Sequence, residues 1–417
     1  MNILLLGSGA REHAMAQHIS GSTLCSRLWV APGNAGTQAW NTPIDISDHQ
    51  VVLQFCIGES VDLVIVGPEQ PLTSGLSDLL RQHHIPVTGP GSAGAQLEGS
   101  KSFSKGFMER HGIPTASYRV FKRNQFEDAL SYIRLHAMPV VLKADGLAAG
   151  KGVTVATNLA DAEDALKDIC IHNRFGSAGD TVVVESFLTG QEVSVFILTD
   201  GNQYILLPEA MDYKRVGEGN TGPNTGGMGA ISPVPFFTDA LQENVIQTII
   251  EPTLKGLQKD NIPYQGFIFF GLMVDAGIAS VIEYNVRMGD PETEVVFPRI
   301  SEDLVPYMFA AANGNLINTQ LSVTPQSAVT TVCVSGGYPD RFDTGKDIQV
   351  PMDLPRNVFL FHAGTSRQGQ RLHSSGGRVC AVTALADDLD AAAIISQKYA
   401  ASIVFDGKYY RKDIGVI

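Results

Sequence analysis

Between Val61 and Val66 the chain runs almost unbroken through branched aliphatic residues and then halts at Gly67-Pro68-Glu69. A strand written this way offers water no polar face, so it has to be buried on both sides. An earlier apolar run, Asn2–Leu6, ends in Gly7-Ser8-Gly9, and Leu28–Val30 and Ile85–Val87 are two further strand candidates. Arg11–His18 has a helical pattern. Strand and helix in alternation predict an open parallel sheet with helices on its faces over the first hundred residues.

The pattern changes after Gly89-Pro90-Gly91. The spacing predicts helices over Ser100–His111 and Asp303–Asn313. It predicts strands at Tyr118–Phe121, Thr181–Glu185, Glu192–Leu198, Gly266–Val274 and Ser280–Val286. Two more strands, between Val140 and Val155, flank a glycine-rich loop. Past residue 325 strands are expected at Ala328–Val334, Val358–His362 and Gly376–Val382, separated by turns such as Gly336-Gly337-Tyr338-Pro339. The expected class is multidomain, α/β followed by α+β, with units at 1–101, 102–325 and 326–417. A net charge of −13 argues against general nucleic-acid binding, which needs a surplus of Lys and Arg. Five scattered cysteines suit a reducing compartment and carry no zinc spacing. No apolar stretch approaches the ~18 residues of a membrane helix, so no membrane association and a cytoplasmic location are expected.

Five segments carry chemistry. Gly7-Ser8-Gly9-Ala10-Arg11-Glu12 turns from strand into helix and points backbone N–H groups at an anion, although a plain tight turn would read the same. It lacks the third glycine and the acidic ribose ligand of a dinucleotide site. Pro32-Gly33-Asn34-Ala35-Gly36 would face the same sheet edge. The stretch Lys143-Ala144-Asp145-Gly146 through Gly150-Lys151-Gly152 looks superficially like a P-loop. It is one residue too short, has Gly152 where Ser or Thr must stand, and leads into a strand rather than a helix. It reads instead as a loop whose amides cover phosphates, with Lys143 beside them. Val182–Leu188, containing Glu185, Phe187 and Leu188, is a strand running into a connector that can read a nucleobase. Glu192 lies within reach of ribose hydroxyls. Asp212-Tyr213-Lys214-Arg215 precedes Thr221–Gly229, four glycines and a proline in nine residues, which suggests close backbone approach to a ligand. Asp212 and Lys214 are catalytic candidates.

The fifth segment is Ile282–Arg287. Alternate residues of a strand share a face, so Glu283, Asn285 and Arg287 point together. A carboxylate beside an amide carbonyl suits Mg²⁺ or Mn²⁺, and the planar fork of Arg287 suits a carboxylate or phosphate. The following turn, Met288-Gly289-Asp290-Pro291-Glu292-Thr293-Glu294, is acidic and fits a cationic amine.

Together these segments resemble the ATP-grasp superfamily and, within it, the phosphoribosylamine–glycine ligase (glycinamide ribonucleotide synthetase) family. Gly7–His13, Val66–Glu69, Leu97–Lys105, Lys143–Gly152, Lys214–Ala230, Gly289–Thr293, His362–Thr365 and Arg411–Gly415 stand in the family's order. The resemblance implies a Rossmann-like first domain, a two-part ATP-grasp body with a mobile flap at about 121–190, and a small C-terminal domain. It implies ATP with Mg²⁺ or Mn²⁺, and glycine and 5-phosphoribosylamine as substrates. Lys105 and Lys143 match its phosphate lysines, Glu185 and Glu192 its adenine and ribose contacts, and Glu283 and Asn285 its metal ligands. Gly9, Arg11, Asn34, Gly36, Glu69 and Asp290 are the substrate-side candidates. A monomer is expected, with a dimer open. The family more often carries Phe at Met288 and Gln at Glu294, and Phe267–Val274 adds no acidic ligand, so two protein metal ligands are expected. An ATP-grasp relative using formate or bicarbonate, and a non-catalytic ATP-binding module, remain as alternatives at this point.

Overall fold

A computed structural model describes residues 1–148 and 152–416. Four parallel strands form the first sheet in the order Arg27–Pro32, Asn2–Gly7, Leu63–Val66, Val87–Thr88. Alternation sends Leu4, Leu6, Val64 and Val66 into one core and Ile3, Leu5, Leu63 and Ile65 into another. That is why these strands carry no polar face. Helix His49–Gly58, which the sequence reading did not single out, is capped by the Asp48 carboxylate. The C-terminal ends of the first three strands converge, with Gly33 N–H on Gly7 O and Gly67 N–H on Leu6 O. Both glycine turns and Glu69 therefore share one edge, as expected for an open parallel sheet.

The body holds an antiparallel sheet ordered Tyr204–Leu206, Gln191–Thr199, Gly266–Asp275, Ile278–Asn285. A smaller sheet, Tyr118–Lys122, Thr181–Ser186, Val140–Ala144, Val153–Ala156, is backed by helices Phe126–Arg134 and Leu159–Cys170. Its core of Phe121, Leu130, Ile133, Leu142, Leu166 and Val184 is separate from the others.

The third unit is a five-stranded sheet ordered Met211–Asp212, Gly229–Ser232, Ser327–Val334, Arg378–Ala386, Val358–His362. Two of these strands come from the middle of the chain. A 14-residue helix, Leu389–Ser402, packs on the sheet, an element absent from the strand-rich reading of this region. The unit docks on the first domain: His362 N–H donates to His13 Nδ1 at 2.8 Å, and Asn34 Nδ2 donates to His362 O at 2.7 Å. Among the described residues no helix is long and apolar enough to cross a membrane.

Candidate active site

Strand Ile278–Asn285 lies against Gly266–Asp275, with a register shift between Gly271 and Leu272. Glu283, Asn285 and Arg287 all line one cleft of about 560 Å³, a size ordinary for small-ligand sites. The strand ends at Asn285, so pleating alone does not aim Arg287. Glu98 does. Its carboxylate accepts from Val286 N–H at 2.8 Å and from Arg287 Nη2 at 2.6 Å, and Arg287 Nη2 also reaches Asn285 Oδ1 at 3.0 Å. Glu69 stands 3.6 Å from Arg287 Nε. Burial pushes the Glu98 carboxyl up, and Arg287 works against that.

Lys101, Lys105, Lys143 and Lys214 line the same cleft. Lys105 and Lys143 share the buried Glu185 carboxylate at 2.9 and 3.0 Å. Lys105 also donates to Thr115 Oγ1 at 2.7 Å, and Lys143 to Ile282 O at 3.3 Å. Two cations on one anion leave positive charge facing the cleft. Burial, with help from Lys143 and against Glu185, brings Lys105 down to about 8. Glu185 and Glu192, matched to adenine and ribose contacts, are held here by lysines; Glu192 pairs with Lys214.

Burial would raise Glu283, but Lys214, Lys143, Lys101 and Arg287 outweigh it and hold the carboxyl below its usual range. An ionised carboxylate beside an amide oxygen is a donor set that fits a hard divalent cation completing its shell with phosphate and water. Among the described residues no group of three or more His, Cys, Asp or Glu is arranged to hold a metal.

Asp212 is pushed up to about 7 by burial, opposed by Lys214 and reinforced by Glu292 and Glu192. Lys214, 4.0 Å from Asp212, is pushed upward: burial alone would lower it, and Asp212 and Glu192 reverse that. Ser194 Oγ donates to Glu292 at 3.1 Å behind them.

The glycine turn of the first domain is braced from within. Gly9 N–H faces an anion, but the anion is Glu12 of the same helix, at 2.6 Å. Arg11 Nε pairs with Glu12 at 2.5 Å, and its Nη1 donates to Met288 O at 3.1 Å. A Cβ on Gly67 would lie 2.1 Å from Glu12 Oε1, which explains the glycine there. Arg11, Glu69 and Asp290 line the cleft. Asn34 is buried, donating to Ser8 O and accepting from Gly36 N–H, so these two residues brace the turn. Phe187 lines a separate shallow groove with Leu135 and Met138, and neither its side chain nor that of Leu188 lines the cleft. Gly152 lines the cleft; Gly150 and Lys151 lie outside the described residues.

Sequence reasoning missed Glu98, Lys101, Tyr338 and Arg378, all cleft residues, and named Glu292 only as part of the acidic turn. Glu98 and Lys101 stood inside the segment Leu97–Lys105, quoted there for the family resemblance alone. Tyr338 and Arg378 lie in the C-terminal third, where nothing local marks them.

Residues 1–98, 99–293 and 328–417 match the N domain, the ATP-grasp (A) domain and the C domain of Phosphoribosylglycinamide synthetase. The chain belongs to the phosphoribosylglycinamide synthetase family. A relative from Chlorobaculum tepidum, Phosphoribosylamine--glycine ligase, is 45% identical over 423 residues, covering 100% of this chain and 99% of its own. The crystal structure of Phosphoribosylamine--glycine ligase from Thermotoga maritima superposes with a TM-score of 0.86 at 30% identity, covering 99% of this chain and 100% of that one. A biotin carboxylase from Campylobacter jejuni has a TM-score of 0.74 at 16% identity, covering 100% of this chain and 94% of its own. At that distance the likeness is one of fold alone.

Proposed function

We propose that the chain joins glycine to 5-phosphoribosylamine with ATP, giving glycinamide ribonucleotide, ADP and phosphate, the second step of purine biosynthesis. The observation that carries this is one cleft, in a chain matched end to end, where Glu283 and Asn285 face Lys101, Lys105, Lys143 and Lys214. A carboxylate does not acylate an amine at neutral pH, because oxide is a poor leaving group. A glycine carboxylate oxygen attacks the γ-phosphorus, the bond to ADP breaks, and glycyl phosphate forms. The amine nitrogen then attacks the acyl carbon, phosphate leaves with that carboxylate oxygen, and the amine loses a proton.

The residues supply alignment and charge rather than covalent chemistry. Lys105 and Lys143 neutralise phosphate oxygens, Arg287 orients the glycine carboxylate, and Lys214 stays cationic. Asp212, poised at about 7, is suited to take the amine proton. Glu283 and Asn285 would hold Mg²⁺ or Mn²⁺, which when bound supplies further neutralisation of the phosphates. The test is ADP release with phosphoribosylamine generated in place, with and without glycine, using ¹⁸O-carboxylate glycine. Label in the released phosphate supports the reading; glycine-independent release or unlabelled phosphate rejects it.

A further inference from the structure

The glycine-rich loop around Asn224–Gly227 borders the cleft, and Thr225 ties it to Lys214, its N–H and Oγ1 both donating to Lys214 O. Two residues of the C-terminal unit hold it as well. Gly226 N–H donates to the Tyr338 hydroxyl at 2.9 Å, and Gly226 O accepts from Arg378 Nη1. One residue is thus fixed through both its N–H and its C=O by residues more than 100 positions away. The same Arg378 Nη1 donates to Asp290 O at 2.9 Å, and Nη2 pairs with Asp290 Oδ1 at 3.0 Å. The fork of the guanidinium spans the two segments.

The glycines at this point answer to that grip. A Cβ on Gly226 would stand 3.0 Å from Arg378 Cζ. Gly227 has φ +111°, and a Cβ there would stand 2.2 Å from Pro291 Cδ. The loop, the acidic turn and Arg378 are packed to the limit of backbone contact. On its far side Asp290 faces the first domain, since a Cβ on Gly9 would lie 3.0 Å from Asp290 Oδ2. Asp290 and Arg11 also interact electrostatically. Asp290 therefore sits where all three units meet, one oxygen held by Arg378 and the other turned toward the Gly9–Arg11 turn.

We propose that Arg378, with Tyr338, is a positioning residue for the acceptor: by fixing Gly226 and Asp290 it shapes the subsite that receives 5-phosphoribosylamine. The inference rests on the ligase reading above. ATP lies with Lys105, Lys143, Glu283 and Asn285, none of which Arg378 touches, so loss of the clamp separates the acceptor from the nucleotide. Arg378→Gln removes a charge-assisted double contact and raises KM for phosphoribosylamine roughly 10–100-fold. KM for ATP and the Kd for ATP alone stay within about two-fold.

The experiment generates phosphoribosylamine from ribose 5-phosphate and ammonia and measures KM for each substrate, with ATP affinity by calorimetry. Arg378→Lys, which keeps the charge but loses the fork, and Tyr338→Phe, which loses one acceptor, are expected to raise the same KM to a smaller degree. These two variants decide the matter if Arg378→Gln does not fold. An unchanged acceptor KM overturns the inference, as does an ATP affinity that falls in parallel. A wild-type chain without glycine-dependent ADP release overturns the ligase reading beneath it, a different failure.

Discussion

Replacing Glu283 by glutamine removes one charge and leaves the strand Ile278–Asn285 its shape. Its neighbours Lys214, Lys143, Lys101 and Arg287 are then left with a neutral amide. Turnover of Glu283→Gln should fall roughly 10²–10³-fold, and the thermal midpoint should fall as well, because a carboxylate that its cationic neighbours stabilise is gone; wild-type turnover would remove Glu283 from the site. Glu294 is the opposite case. It is fully buried with both oxygens unpartnered. Burial, and then repulsion by Asp290, push its carboxyl well above 4.5, with Arg378 opposing. A raised acid pKa means that the native state binds the proton more tightly. The contribution of Glu294 to stability is therefore greatest below pH 4.5 and declines as pH climbs toward the native value. Glu294→Gln should be more stable than wild type at pH 8, with the gap closing toward pH 4.5 in urea titrations. An equal gap at both pH values would show that the carboxyl titrates alike in the folded and unfolded chain. The sequence made Glu283 legible because strand alternation is local. It could say only that Glu294 adds charge, because burial is not.

Helix Lys101–Arg110 carries Lys101 and Lys105, and its start is fixed from outside. Ser100 Oγ accepts from Phe103 N–H at 3.1 Å, while the Asp145 carboxylate accepts from Ser102 N–H at 2.5 Å and from Ser100 Oγ at 3.0 Å. Asp145 lies two residues after Lys143. One carboxylate thus ties the helix bearing one cleft lysine to the strand end bearing another. Asp145→Ala should cost about 1 kcal/mol as a lost cap and raise KM for ATP. Unchanged ATP affinity in a destabilised variant would reduce Asp145 to a cap alone. The helix was readable from its apolar spacing, and Asp145 was quoted within its glycine-rich segment. Their contact joins positions 45 residues apart, and no local pattern records it.

At the scale of the molecule, the C-terminal unit closes on the first domain through His13 and His362, and the rings lie 5.7 Å apart. Burial, with the other ring's charge adding, brings His13 down to about 3; burial, then Arg367, brings His362 down to about 4. A base whose native pKa is depressed favours folding above its unfolded pKa of 6.5, and that contribution is lost as pH falls toward the native value. Stability should therefore drop between pH 6.5 and about 4, by up to about 1.4 kcal/mol per pH unit for each ring. His13→Gln should give a shallower slope in urea midpoints across that window. An unchanged slope would assign the acid sensitivity elsewhere.

From the sequence alone came the parallel first sheet, the α+β body, the strand face that Glu283 and Asn285 share, and the family resemblance. These rest on periodicity and on motifs spanning a few residues, where the backbone itself dictates which side chains share a face. Tertiary structure decided what depends on pairing at a distance. Strands Met211–Asp212 and Gly229–Ser232 left their own domain for the C-terminal sheet. Glu98 aimed Arg287, and Glu12 filled the turn that looked ready for a ligand's anion. Arg378 reached back to Gly226 and Asp290. A strand's alternation is written along the chain, whereas the partner of a buried charge is whichever residue the finished packing brings within 3 Å of it.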